Sequence, residues 1–291
     1  MSDLLYEVNV PLSSGFGSLQ TNIGELKFWG HEFFLQSYNI QNDNFWEAPS
    51  LVVGLGAIGS KVSHHLLKNG KNNLDFCDYD ELSPHNLVRW VDIWPFFGHK
   101  KSELLVSQAN TLFKDDQNHK FNSIDNKVLE LNRLNSYAYI FDFTASYQVF
   151  DHLSTSSEIN AVYFRGQLFQ EGKMGVLFKE GQNRKPRIDD LLVTLYAMSV
   201  EDDEISYWLK SEESKREGRF TSGEELIVGM GCSSDSLVLP DEIISLHASL
   251  MTAAIKAHQS DLNSLIQISW YKEDGSVAVS KKVVPVMNAS L

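Results

Sequence analysis

From residue 50 onward the chain alternates short apolar runs with longer amphipathic stretches. Residues 50–53 predict a buried strand, 57–69 a helix, 73–78 a second strand and 100–113 a second helix. A strand with a turn follows at 119–129. Residues 137–144, Tyr-Ala-Tyr-Ile-Phe-Asp-Phe-Thr, predict a strand that ends in polar side chains, and 146–153 open the next helix. Further strands are expected at 160–165 and 174–178. This order predicts an α/β fold, a doubly wound and mainly parallel sheet covered on both faces. An apolar helix is expected at 240–258, started by Pro240-Asp241-Glu242 with a polar N-cap. The runs 265–271 and 276–286, around Glu273-Asp274-Gly275, predict a C-terminal antiparallel hairpin.

Two regions depart from that alternation. Residues 1–48, rich in glycine and aromatics, are expected to form an N-terminal arm or small subdomain of short strands. The main domain then spans 49–291. Within it, about 180–228 is charged and helix-prone and is expected to be a helical or crossover insertion, either a solvated one or a partner-docking surface. Residues 229–236 form a small loop-like turn before the last helix.

Composition narrows the function. A chain of 291 residues, 43% hydrophobic and 22% charged, is long enough for one large α/β domain or two modest ones. Its formal net charge of −13 argues against non-specific binding to nucleic acid or an anionic membrane. Two cysteines, Cys77 and Cys232, are too few for a disulfide framework or a four-cysteine zinc site. No run of about 18 apolar residues suggests a membrane span, the first residues carry no signal-peptide pattern, and the expected compartment is the cytoplasm.

The chemistry concentrates after the first strand. Gly54, Gly56 and Gly59 have the G-x-G-x-x-G spacing, with Ala57 and Ile58 between the last two. The first glycine permits a tight turn, the second lets a phosphate approach the backbone, and the third lets helix and strand pack closely. The sheet is therefore expected to be Rossmann-like. Asp78 stands 19 residues after Gly59 at the end of the second strand, where a carboxylate accepts hydrogen bonds from ribose; the alternative is a strand-end cap. Neither feature separates ATP from a dinucleotide, so an NAD-dependent oxidoreductase remains a rival. Cys77 is expected to pack in a core strand.

The stretch Asp78-Tyr79-Asp80-Glu81-Leu82-Ser83-Pro84-His85-Asn86-Leu87-Val88-Arg89 resembles the ThiF-type, ubiquitin-activating family. That family has an Asp-x-Asp strand end followed by Asn-Leu-x-Arg. Gly98-His99-Lys100-Lys101 resembles its Gly-x-x-Lys, which selects Lys101 over Lys100. Asp142-Phe143-Thr144 resembles the first half of its Asp-x-Thr-Asp-Asn. The resemblance covers roughly residues 50–180. It implies ATP as the nucleotide, Asp78 at the ribose, Asp80 beside it among the cofactor-binding residues, Arg89 and Lys101 on the phosphates, and Asn86 orienting them. Cations there neutralise charge as one anion attacks another. It also implies Mg2+ on Asp142, joined by Asp80, although Ala145 and Ser146 stand where the family has its second Asp and Asn.

The same resemblance implies adenylation of the C-terminal carboxylate of a ubiquitin-like protein. Transfer to a cysteine thioester and hand-over to a conjugating enzyme or sulfur acceptor would follow, within a homodimer. Cys232, in Gly-Met-Gly-Cys-Ser-Ser before a helix, is the candidate thiol; the alternative is a small residue packed in a turn. The zinc-free form is similar to bacterial activating enzymes encoded beside a conjugating enzyme and an isopeptidase. An arginine reaching a neighbouring subunit has no counterpart before residue 50, which makes Arg165 or the Arg184–Arg187 cluster its expected substitute. Ala145 keeps open a non-catalytic adaptor that binds a ubiquitin-like protein.

Overall fold

The computed structural model describes residues 7–12, 15–20, 44–92, 96–113, 118–169, 172–207, 209, 240–272 and 274–285. Strands β1 (Glu7–Leu12) and β2 (Gly15–Gln20) pair antiparallel as a separate two-stranded sheet. The main sheet holds β3 (Ser50–Val53), β4 (Asn73–Cys77), β5 (Lys120–Ile124), β6 (Tyr139–Asp142), β7 (Val162–Phe169), β8 (Met174–Lys179), β9 (Ser264–Tyr271) and β10 (Val277–Val284). The helices that accompany it include α1 (Ala57–Lys68), α2 (Lys101–Leu112), α3 (Tyr147–Thr155), α4 (Ile188–Glu201) and α5 (Asp241–His258).

The strand order is β10-β9-β8-β7-β6-β3-β4-β5. From β5 to β7 every pairing is parallel; from β7 to β10 every pairing is antiparallel. The antiparallel part thus begins at β8, one strand before the C-terminal hairpin, because only Phe169 to Met174 separates β7 from β8 and a parallel crossover needs a dozen residues or more. The chain runs outward from β3 to β5, then returns to place β6 on the other side of β3. That reversal opens a crevice at the carboxyl ends of β3 and β6.

The central strands are apolar at consecutive positions because both faces are covered. Val52 belongs to a core with Leu66 of α1, Leu105 of α2 and Ile244, Ala248 and Met251 of α5. Its neighbours Leu51 and Val53 belong to the opposite core, with Leu153 of α3 and Ile188, Leu191 and Leu195 of α4. Two expectations change here. The region read as an insertion starts with a helix that closes one face of the sheet, and the last helix has Pro240 at its N-cap and no side-chain cap.

Residues 44–48 are also tied into the domain. Phe45 is buried in the first core, and the buried Lys71 donates to the carbonyls of Phe45, Trp46 and Ala48. Lys179 does the same at the far end, donating to Asp261 at 2.7 Å and Asn263 at 2.9 Å. In both places the ammonium supplies donors that a loop's carbonyls would otherwise lack.

His247 of α5 is wholly buried, with Nδ1 2.7 Å from Ser269 Oγ, which in turn donates to the Gly175 carbonyl. Burial pushes its pKa down to about 4, against a partial opposing pull from the backbone at Gly172 and Lys173. The unfolded chain takes up that proton near the ordinary value of about 6.5. Its contribution to stability is therefore complete above about pH 6.5 and is lost as pH falls toward 4, at up to about 1.4 kcal/mol per pH unit. His64, also lowered to about 4 chiefly by burial, acts in the same direction. Urea unfolding across this range is expected to show a shallower loss in His247→Gln than in the parent; parallel curves would refute it.

Candidate active site

The loop after β3 is built around two glycines. Gly54 has φ +81°, and a side chain there would meet the Thr144 methyl and backbone nitrogen at 2.8 Å. A Cβ on Gly59 would lie 1.8 Å from the Gly54 carbonyl oxygen. The first turn of α1 therefore folds directly onto the loop. Gly56 is the N-cap of α1 and no side chain caps the helix. Its first N–H groups and positive dipole end remain for an anion.

The segment 83–90 folds over this end. Ser83 begins a single helical turn, Pro84–Asn86, where the Asn86 Oδ1 accepts the Ser83 N–H at 3.0 Å. The Asn86 carbonyl accepts from Arg89 and Trp90. The buried indole of Trp90 then donates to the Leu55 carbonyl at 2.9 Å, fastening the segment to the glycine loop. Gly56, Ala57, Asn86, Arg89, Trp90 and Lys101 line one narrow crevice. Arg89 and Lys101 are 5% and 6% exposed, so both cations are largely withdrawn from bulk water. Lys100, one position earlier, points elsewhere, to the Tyr79 carbonyl and to Asp125 and Glu81.

The carboxylates divide their work. Asp78 Oδ2 accepts the Leu55 N–H at 2.6 Å and its Oδ1 the Asp80 N–H at 2.8 Å. Burial pushes its pKa up, opposed by Lys101 and these two N–H groups. Asp78 thus caps the glycine loop and the strand end with its two oxygens. Asp80 is exposed, and its Oδ2 lies 3.1 Å from Lys101 Nζ. Asp142 is fully buried: its Oδ1 accepts from Thr144 N at 2.8 Å and Thr144 Oγ1 at 2.6 Å, and its Oδ2 accepts from Tyr163 at 2.8 Å and from Arg165. Four donors fill the acceptor sites of one carboxylate. Asp142 as placed does not fit a magnesium ligand, and among the described residues no group of three His, Cys, Asp or Glu side chains could hold a metal.

The cations proposed to replace a missing arginine are likewise occupied. Arg165 is committed to Asp142, and Arg184 binds Glu180 at 2.7 Å and the carbonyls of Leu153 and Ser156. Ile58 is buried behind the loop. Cys232 lies outside the described residues, and Cys77 is buried in its strand, its thiol pushed up to about 12 mainly by burial. Trp90 was missed by motif reasoning, while Phe143 and Thr144 were quoted in the Asp142 motif but given no role. A tryptophan directly after the motif arginine was the available signal for the first.

Residues 28–159 match the model of the ThiF family. Among solved structures it is similar to E. coli MccB with succinimide, at TM-score 0.53 and 12% identity, covering 93% of this chain and 74% of that one. It is similar to E. coli MccB with AMPCPP and MccA at TM-score 0.53 and 12% identity, covering 92% and 79%. For E. coli MccB with ATP the values are 0.51 and 12%, covering 88% and 69%. At this identity the likeness establishes the shared α/β fold. No curated protein sequence matches the chain.

Arg165 is the sole cation holding the buried Asp142 among the described residues. Arg165→Met is expected to cost about 3–5 kcal/mol in chemical unfolding, because it strands a buried carboxylate. Adding Asp142→Asn should recover part of that loss; a single mutant as stable as the parent would refute the pairing.

Proposed function

We propose that this protein uses ATP to adenylate the C-terminal carboxylate of a ubiquitin-like protein. The observation that carries the reading is the shared crevice: the uncapped start of α1, Asn86, Arg89 and Lys101 converge on one place. A dinucleotide oxidoreductase would use the glycine loop and Asp78 but has no need of two nearly buried cations beside them. The family match over 28–159 and the MccB structures with ATP and AMPCPP support the same choice.

In this reading the α1 N–H groups receive phosphate oxygens, and Asp78 borders the ribose. Arg89 and Lys101 lower the cost of bringing a carboxylate to the α-phosphorus, since little water remains there to screen them. The carboxylate oxygen bonds to the α-phosphorus and pyrophosphate leaves with the electron pair, giving an acyl-adenylate. The Cys232 thiolate then attacks the acyl carbon and AMP departs, leaving a thioester for a conjugating enzyme or sulfur acceptor. A homodimer belongs to the same proposal. A second reading takes a shorter peptide as the acyl partner, favoured by the MccB structures that contain MccA.

Exchange of labelled pyrophosphate into ATP in the presence of candidate carboxyl partners tests the first step. Lys101→Ala is expected to lower exchange at least about a hundredfold, the scale for one transition-state donor. Cys232→Ala should retain exchange yet lose the thiol-sensitive mass adduct. Exchange surviving in Lys101→Ala would sink the adenylation role of that lysine, and full conjugation by Cys232→Ala would sink the thioester.

A further inference from the structure

We infer that Trp90 is a positioning residue: its indole N–H fixes the orientation of the peptide between Leu55 and Gly56, and with it the Gly56 N–H that a phosphate would meet. This rests on the nucleotide reading above and names the group that orients one of the loop's donors. Leu55 is fully buried and is held from two sides. Its N–H donates to Asp78 Oδ2 at 2.6 Å, and its carbonyl accepts the Trp90 indole N–H at 2.9 Å. The first bond fixes the peptide between Gly54 and Leu55, and the second fixes the next one. The helical ladder of α1 starts one residue later, with the Ser60 N–H on the Gly56 carbonyl at 3.0 Å. Among the described residues the indole is thus the donor that satisfies the Leu55 carbonyl.

In a trans peptide the carbonyl and the following N–H point in opposite directions. With the Leu55 carbonyl turned to the indole, the Gly56 N–H is turned away from it and joins the open N–H groups at the start of α1. Glycine alone does not hold that orientation. Gly56 has φ −70°, and turning over the 55–56 peptide would carry this angle to positive values, which glycine adopts about as readily. The turned-over peptide would present a carbonyl oxygen in place of the N–H and repel a phosphate. A side chain at position 56 would forbid the turn, but it would stand where the phosphate approaches the backbone. The indole selects the orientation instead. Trp90 is itself fixed, 4% exposed and with its own N–H on the Asn86 carbonyl at 2.9 Å, and it lines the crevice beside Gly56.

The test is calorimetric binding of AMPCPP to Trp90→Phe, checked by circular dichroism for folding, with Trp270→Phe as the matched control. Trp270 is also 4% exposed, but its indole nitrogen has no hydrogen-bond partner among the described residues, so the same substitution there shrinks a buried ring without freeing a carbonyl. Trp90→Phe is expected to weaken AMPCPP binding at least about tenfold, the scale of one hydrogen bond to a charged group. Trp270→Phe should keep the parent affinity. Should Trp90→Phe not fold, benzothienylalanine at position 90, which keeps the bicyclic ring and puts sulfur in place of the N–H, is expected to give the same loss. In an Arg89→Ala background the effect of Trp90→Phe should persist, because the peptide meets the phosphate independently of that arginine. Parent affinity in the position-90 variant, an equal loss in Trp270→Phe, or an effect that vanishes in Arg89→Ala would each overturn the assignment while leaving nucleotide binding intact. A parent that binds no AMPCPP would remove the nucleotide reading and this one with it.

Discussion

The buried pair of Arg165 and Asp142 anchors the point where the sheet changes direction. The parallel register of β6 and β7 sets Asp142 opposite Arg165, and that of β3 and β6 sets it opposite Val53, the residue before the glycine loop. A lone carboxylate in this place would be costly to bury. With Arg165, Tyr163 and Thr144 around it, it becomes the post that holds the 143–144 turn against Gly54. The loop's shape, and with it the direction of α1, follows from that turn.

A second constraint is the handling of charge. The chain is strongly acidic overall, yet its crevice gathers two nearly buried cations and an uncapped helix start. Net charge describes the whole surface; the potential at a site depends on a few groups within several ångströms in a medium poorer in water. Asp80 and Lys101 balance one another at the rim, so the bare protein does not carry an unpaired ammonium inward.

Much of the fold was legible in the chain because the signals are local. Apolar runs, the glycine spacing and the strand-end acids each depend on neighbours close in sequence, and the observed elements fall within a residue or a few of those expected. The antiparallel turn at β8 was less legible, since β7 and β8 look alike as apolar strands and only the short connection between them sets their direction. The role of α4 was obscured by its charged surroundings: Ile188, Leu191 and Leu195 bury a stripe, but acidic residues crowd both its ends.

The candidate site divides in the same way. The order of residues alone determined that a glycine turn, a strand-end Asp, an Asn–Arg pair and a Lys would occur in succession, because each is a property of the chain read along its length. Tertiary structure decided which of them face one another. Lys101 and not Lys100 enters the crevice, Trp90 pins the loop, and Asp142 turns inward to a partner 23 residues away. A carboxylate looks the same in sequence whether it faces a metal or an arginine; only the register of neighbouring strands determines which charge it meets.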